Sequence, residues 1–163
     1  PVCGRAGRGD NVGARSPSGY APVEVAVTLD SCRVYVSLRY ESSVASFATA
    51  QRKKFATVPV GRDPVQVFAT PDGRYLYVAN QGSETNPDNT VSVIETASNR
   101  VVATVKTGQG AHGVAISDDG SRAFIANTFA STVSVIDTTT QKVINNIKVG
   151  EGSGGIPFRA AKR

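Results

Sequence analysis

Residues 64–80 read PVQVFATPDGRYLYVAN, and the chain repeats this stretch. Related versions are PVEVAVTLDSCRVYVSL at 22–38 and AHGVAISDDGSRAFIAN at 111–127. Each is followed by two further apolar runs that end at a glycine, Gly61, Gly108 or Gly150, so these landmarks are spaced by 47 and 42 residues. A fixed period of this length is the sequence signature of a propeller or another repeat array.

Each repeat is predicted to form four short strands, which in the second repeat cover about 65–70, 74–79, 90–95 and 100–105. The first two are joined by Pro71-Asp72-Gly73, a type I turn followed by a glycine that accepts positive φ. The third strands are almost continuously apolar, which indicates burial on both faces. Lysines on the last strands, at Lys106, Lys142 and Lys148, are typical of exposed edges.

The predicted fold is all-β, with three four-stranded antiparallel blades of a partial β-propeller. The predicted boundaries are an irregular segment at 1–20, blades at 21–60, 61–107 and 108–149, and the start of a further blade at 150–163. Hydrophobic residues at 40% and charged residues at 19% of the 163 positions are typical of a folded protein.

Net charge alone is weak evidence for a phosphate-binding face. The chain carries +5, but the excess lies at residues 1–20, 21–60 and 150–163, each +2. The second repeat is −1 and the third is neutral.

The residues also carry a family resemblance. Tyr77-Val78-Ala79-Asn80 followed by TVSVIET at 90–96 resembles the YVTN-type propeller repeat. FIAN at 124–127 with TVSVIDT at 132–138 is a second copy, and YVSL at 35–38 is a degraded one. The resemblance implies a propeller used for binding or as a scaffold, outside the cell or in the periplasm. It also admits a redox-enzyme propeller whose chemistry belongs to a haem or quinone, as in amine dehydrogenases or nitrite reductases.

Three blades are fewer than the four to eight that close a propeller. The sequence therefore favours a fragment of a larger propeller, with the remaining blades or a protein partner covering the ends. The alternatives are a homo-oligomer that closes the ring between chains and an open wedge of three blades. An open wedge would expose two apolar faces, which favours aggregation.

The candidate ligand-binding residues lie where the first strand of each repeat begins. His112, the only histidine, aligns with Val23 and Val65, and Glu24 aligns with Gln66. The innermost strand of a propeller lines its channel, so these side chains are predicted either to bind a small polar ligand or to solvate the channel. One histidine does not make a metal site, and no metal or cofactor is predicted.

Two other segments are candidates for contacts. The insertion at 81–89 offers Glu84, Asn86, Asp88 and Asn89 as a partner loop or a solvated surface. The basic run Arg52-Lys53-Lys54, with Phe47, Phe55 and Tyr40 near it in sequence, fits either single-stranded nucleic acid or a charge-protected rim strand. Some members of the family bind DNA, so the nucleic-acid alternative stays open.

The sequence lacks the motifs of several functional classes of protein. No nucleophile elbow, zinc-protease helix or phosphate-binding loop is present. No apolar run is long enough to span a membrane, and no secretion signal is visible. Cys3 and Cys32 are expected either as two thiols or as one disulfide.

Overall fold

The computed structural model describes residues 21–150, which form three four-stranded antiparallel sheets in chain order. The first sheet contains β1 (Pro22–Val27), β2 (Arg33–Leu38), β3 (Ser43–Ala48) and β4 (Lys53–Pro59). The second contains β5 (Pro64–Ala69), β6 (Tyr75–Gly82), β7 (Pro87–Glu95) and β8 (Arg100–Lys106). The third contains β9 (Ala111–Ile116), β10 (Arg122–Asn127), β11 (Thr132–Asp137) and β12 (Lys142–Lys148). A short 3₁₀ turn, Arg39–Glu41, joins β2 to β3. The all-β prediction is confirmed.

The hairpin between the first two strands is built in the same way in every sheet. A hydroxyl donates to an aspartate two residues later at 2.6 Å, in the pairs Thr28–Asp30, Thr70–Asp72 and Ser117–Asp119. The Ser117 hydroxyl and the N–H and hydroxyl of Ser121 lower the pKa of Asp119 to about 2. These carboxylates therefore hold the turns in shape.

The turn glycines adopt positive φ, 69° at Gly73 and 70° at Gly120. In the first sheet the chain takes the same conformation without a glycine, with Ser31 at φ 57°. A left-handed residue with a Cβ costs about 1–2 kcal/mol, so the first hairpin is the least favourable of the three.

Two apolar cores lie between the sheets. The core between the first and second sheets includes Tyr35, Val44, Leu76 and Ile94. The core between the second and third sheets includes Tyr77, Val91, Val93, Ile125 and Ile136. Strand β7 contributes to both, which confirms that its continuous apolar run is buried on both faces.

A tyrosine joins each sheet to the next. The hydroxyl of Tyr35 donates to Asn99 Oδ1 at 3.4 Å, and that of Tyr77 donates to Gln141 Oε1 at 2.9 Å. Both acceptors have positive φ in the turn between the last two strands of the following sheet. The stacking of the sheets is therefore fixed by polar contacts as well as by apolar packing.

The repeated asparagines explain the repeated glycines. Asn80 Nδ2 donates to Thr90 Oγ1 and Ser92 Oγ, each at 3.0 Å. Asn127 Nδ2 makes the equivalent bonds to Thr132 and Ser134. A Cβ at Gly61 would lie 2.5 Å from Asn80 Nδ2, and one at Gly108 would lie 2.9 Å from atoms of Asn127. Only glycine leaves room for the asparagine of the next sheet.

The first sheet replaces this network with apolar side chains. Leu38 and Ala45 stand where the other sheets have asparagine and serine, and both are buried. Ser43 takes the position of Thr90 and Thr132, and its buried hydroxyl has no partner among the described residues.

Three expectations fall wholly or partly outside the described residues. The irregular segment at 1–20 and residues 151–163 lie beyond the described residues, and so does Cys3 of the proposed disulfide.

Among residues 21–150, no helix is long and apolar enough to cross a lipid bilayer.

Candidate binding site at the mouth of the inner surface

Strands β1, β5 and β9 begin the three sheets and lie side by side; we call them the inner surface. At one end lie the linkers between sheets, 60–63 and 107–110, and the connections between the second and third strands. Hydrogen bonds join these loops, for example Gly82 N to Arg62 O at 3.1 Å and Thr128 N to Gly110 O at 2.8 Å. We call this end the mouth.

All three inner strands are interrupted by a β-bulge at the mouth. The register shifts between Pro22 and Val25 in β1, between Pro64 and Val67 in β5, and opposite Ala126 and Asn127 in β9. Glu24, Gln66 and His112 all stand in these bulges. A bulge re-aims a side chain relative to the regular pleat, so the structure gives the three predicted residues a shared setting.

Gln66 and its neighbours connect adjacent inner strands. Gln66 Oε1 accepts a hydrogen bond from the backbone N–H of Val114 at 2.5 Å. Ser37 donates to the carbonyl of Val65 at 2.6 Å and accepts from the N–H of Glu24 at 3.1 Å. Ser37 was not singled out from the sequence, although the other repeats carry alanine there, at Ala79 and Ala126.

His112, unlike Gln66 and Ser37, has a buried polar atom that makes no hydrogen bond to the described residues. Its side chain is half-buried, and its Nδ1 is buried without a partner among the described residues. Burial lowers the pKa of His112, and the positive charge of Arg39 lowers it further. Both effects favour the neutral imidazole, whose nitrogen atoms are suited to a polar ligand.

An ion pair lies at the same end. Arg39, in the 3₁₀ turn, lies 3.9 Å from the carboxylate of Asp63 in the linker to the second sheet. Both side chains are partly exposed, so the pair contributes little stability. Residues 21–150 contain no group of three His, Cys, Asp or Glu side chains that could hold a metal.

The insertion at 81–89 is mostly strand rather than loop. It extends β6 to Gly82 and starts β7 at Pro87, leaving a turn at 83–86. Asp88 is buried: one oxygen accepts from Arg62 N at 2.9 Å and the other from Thr90 Oγ1 at 2.7 Å. Asn89 lies within β7, so only Glu84 and Asn86 of the four predicted contact residues are exposed.

The basic run lies at the opposite end of the first sheet. Arg52 is in the turn before β4, Lys53 and Lys54 begin that strand, and all three are exposed. Tyr40, near them in sequence, lies at the mouth instead.

Arg33, which the sequence did not single out, joins the basic run by stacking over Phe55 at 5.5 Å. Ala48, which pairs with Arg33, occupies the position at which the second sheet has Glu95 and the third has Asp137. The first sheet therefore has no acidic side chain at this position.

The family follows from comparison with known proteins. The model of the YNCE-like β-propeller family matches residues 5–159. The chain belongs to this family. None of the curated proteins matches it.

Among solved structures, the chain is similar to Kuenenia stuttgartiensis hydrazine synthase, with a TM-score of 0.75, 25% identity, and coverage of 93% of this chain and 42% of that one. It resembles U3-55K, with a TM-score of 0.71, 13% identity, and coverage of 82% and 41%. It also resembles the WD40 repeats of RRP9, with a TM-score of 0.69, 14% identity, and coverage of 79% and 39%. The chain thus spans about two fifths of the structures it matches. The last two similarities bear on the fold alone.

Proposed function

We propose that this chain is a binding module whose mouth receives a small polar ligand, within a propeller completed by further blades. The observation that supports the proposal is that each inner strand begins at the mouth with a bulge, and that Glu24, Gln66 and His112 stand in these bulges. The other recurring polar residues, such as Asp72 and Asn80, are used in turns and internal hydrogen bonds.

Completion by further blades is supported by the outer faces of the first and third sheets. Gly61 and Gly108 each pack against the asparagine of the following sheet, whereas none of residues 21–150 lies within 4 Å of a Cβ added at Gly150. Val25 is exposed, although Val67, its equivalent in the second sheet, is buried.

Closure by a second copy is the weaker alternative, because the outer strands carry like charges, Lys53 and Lys54 on β4 and Lys142 and Lys148 on β12. The family suggests an extracellular or periplasmic location, which we include in the proposal.

Protein-observed NMR with a library of small carboxylates, phosphates and amines tests the ligand site. We expect the shifted resonances to cluster at Glu24, Gln66 and His112, and His112→Ala to abolish them. Thr139→Ala, a substitution at the opposite end, is the control and should change nothing. Shifts elsewhere, or none, would remove the proposed site.

A nucleic-acid surface on the first sheet is a second candidate. The observation that favours it is the stacked Arg33–Phe55 pair beside Arg52, Lys53 and Lys54, with alanine where the other sheets have an acid. Cations beside an exposed aromatic ring suit phosphates and stacked bases.

Titration with a labelled oligothymidine at two salt concentrations tests this second candidate. Tight, salt-sensitive binding should be lost when all three residues of the basic run become alanine. Unchanged affinity in that variant would eliminate the surface.

A role as part of a redox enzyme is the alternative that the family resemblance admits and that the similarity to hydrazine synthase favours. Residues 21–150 contain no group of three His, Cys, Asp or Glu side chains that could hold a metal, so a metal site in a longer protein would need ligands from other parts of it. An absorption spectrum and metal analysis of that longer protein test the idea, and a colourless, metal-free preparation would count against it.

A further inference from the structure

A groove runs between the inner strands of the first and second sheets. It has a volume of about 230 Å³ and is lined by residues 24–27 of β1 and 66–69 of β5. Glu24 and Gln66 stand in the bulges at its mouth end, and Phe68 lies further along β5. Pockets for drug-sized ligands measure about 300–1,000 Å³, so this groove has room only for a smaller molecule.

Glu24 is the only charged side chain that lines the groove. It is exposed, and its carboxylate makes no hydrogen bond or ion pair with any of residues 21–150. In the second sheet the equivalent Gln66 uses its side-chain oxygen to accept a hydrogen bond from the N–H of Val114. The first sheet thus places at this position a negative charge that the described contacts do not use.

Phe68 supplies an aromatic wall to the same groove. Its side chain is 42% exposed and belongs to neither of the two cores between the sheets. The equivalent residues of the other sheets are Ala26 and Ala115. A ring at this position is therefore not needed to stack one sheet on the next.

The carboxylate and the ring favour the same kind of ligand. A cation is attracted by the charge of Glu24 and also by the face of an aromatic ring such as that of Phe68. An anion would be repelled by Glu24, and an uncharged apolar molecule would remove water from that carboxylate without replacing its hydrogen bonds. A substituted ammonium ion avoids both costs, because its charge is carried on methyl and methylene groups that can contact a ring.

We infer that this groove binds a small organic cation, a substituted ammonium ion that contacts the Glu24 carboxylate and the face of the Phe68 ring. The inference rests on the proposed function, since it specifies the chemical class of ligand for the same site. It adds Phe68 to the residues that bind this ligand.

Protein-observed NMR with choline tests the inference. The alcohol 3,3-dimethylbutan-1-ol has the shape of choline without its charge, and acetate carries the opposite charge. We expect choline to shift the amide resonances of residues 24–27 and 66–69, and both comparison compounds to bind at least about threefold more weakly. Equal binding of choline and the alcohol would overturn the proposal, and so would the absence of choline shifts in the groove.

Variants then locate the contact. Glu24→Gln removes the charge and keeps the shape, whereas Phe68→Leu removes the ring and keeps an apolar side chain. Each should weaken choline binding at least about threefold. The matched controls are Glu84→Gln, in the exposed turn at 83–86, and Phe55→Leu, which replaces a ring of similar exposure, 44%, at the opposite end. Losses of the same size in the controls would refute the groove as the site.

The inference and the proposed function fail in different ways. Shifts at Glu24, Gln66 and His112 that come from carboxylates or phosphates, with none from choline, would support the ligand site and reject the organic cation. Choline shifts that are lost in Glu24→Gln but survive in His112→Ala would support the groove and remove His112 from the ligand site.

Discussion

At the scale of single residues, the landmark glycines are defined by what lies next to them. Gly108 has no positive φ that would itself require glycine. Its requirement comes from Asn127, whose Cβ, Cγ and Nδ2 would each lie 2.9 Å from an added Cβ. The sequence showed that the glycine recurs, but its partner is revealed only when the sheets are stacked.

Replacing Gly108 by alanine should therefore destabilise the protein by about 1–3 kcal/mol, since a methyl group would be forced into a packed site. Urea unfolding measures the loss. Gly150→Ala is the matched control, because no described residue lies within 4 Å of its added Cβ, and it should stay within about 0.5 kcal/mol of the parent. Equal effects at both glycines would contradict the assigned contact.

The buried tyrosine should make stability depend on alkaline pH. Burial raises the pKa of Tyr77 to about 12 from an ordinary value of 10. The folded state thus favours the protonated phenol. The stability that the phenol contributes is therefore intact below about pH 10 and is lost as the pH rises towards 12.

Tyr77→Phe isolates that contribution. At pH 8 the variant should be less stable by about 0.5–1.5 kcal/mol, because the bond to Gln141 is lost. At pH 11.5 the gap to the parent protein should narrow, since the parent must keep its phenol protonated and the variant need not. A gap that is the same at both pH values would exclude the assigned role.

At the scale of elements, the repeat pattern predicted the strands and their order well, because each hairpin carries its own turn chemistry. It failed at 81–89, where five extra residues indicated a surface loop and the structure extends β6 and β7 instead. The reason is Asp88, a polar residue that is buried because backbone and hydroxyl groups satisfy it. The bulges were equally hidden, since nothing in the spacing separates a bulged strand from a regular one.

Substitutions at Leu38 and Ala45 test whether the hydrogen bonds made by Asn80 in the second sheet can also form in the first sheet. Leu38→Asn should cost about 2–5 kcal/mol, because it removes buried apolar contacts and places an amide beside Ala45. Adding Ala45→Ser should recover part of the loss, because the new hydroxyl and that of Ser43 can then accept from the amide. A double-mutant cycle should give a favourable coupling of at least about 0.5 kcal/mol. Additive losses would show that the Asn80 arrangement cannot be transferred to this sheet.

At the scale of the whole molecule, equivalent positions differ in burial according to which sheets have neighbours. Val25 of β1 and Val67 of β5 occupy the same place in their repeats, yet Val25 is 55% exposed and Val67 is 2% exposed. Val67 packs in the core between the first and second sheets. Val25 faces the side on which residues 21–150 supply no further sheet.

The same substitution at these two positions should therefore give different results. In this chain, Val67→Thr should cost about 1–3 kcal/mol because a hydroxyl is buried without a partner, whereas Val25→Thr should stay within about 0.5 kcal/mol. In a longer protein with further blades, Val25→Thr should cost as much as Val67→Thr, because the added sheet would bury it. Chemical unfolding of both variants in both lengths of chain measures the comparison. If Val25→Thr remained neutral in the longer protein, the outer face of the first sheet would not be a blade interface.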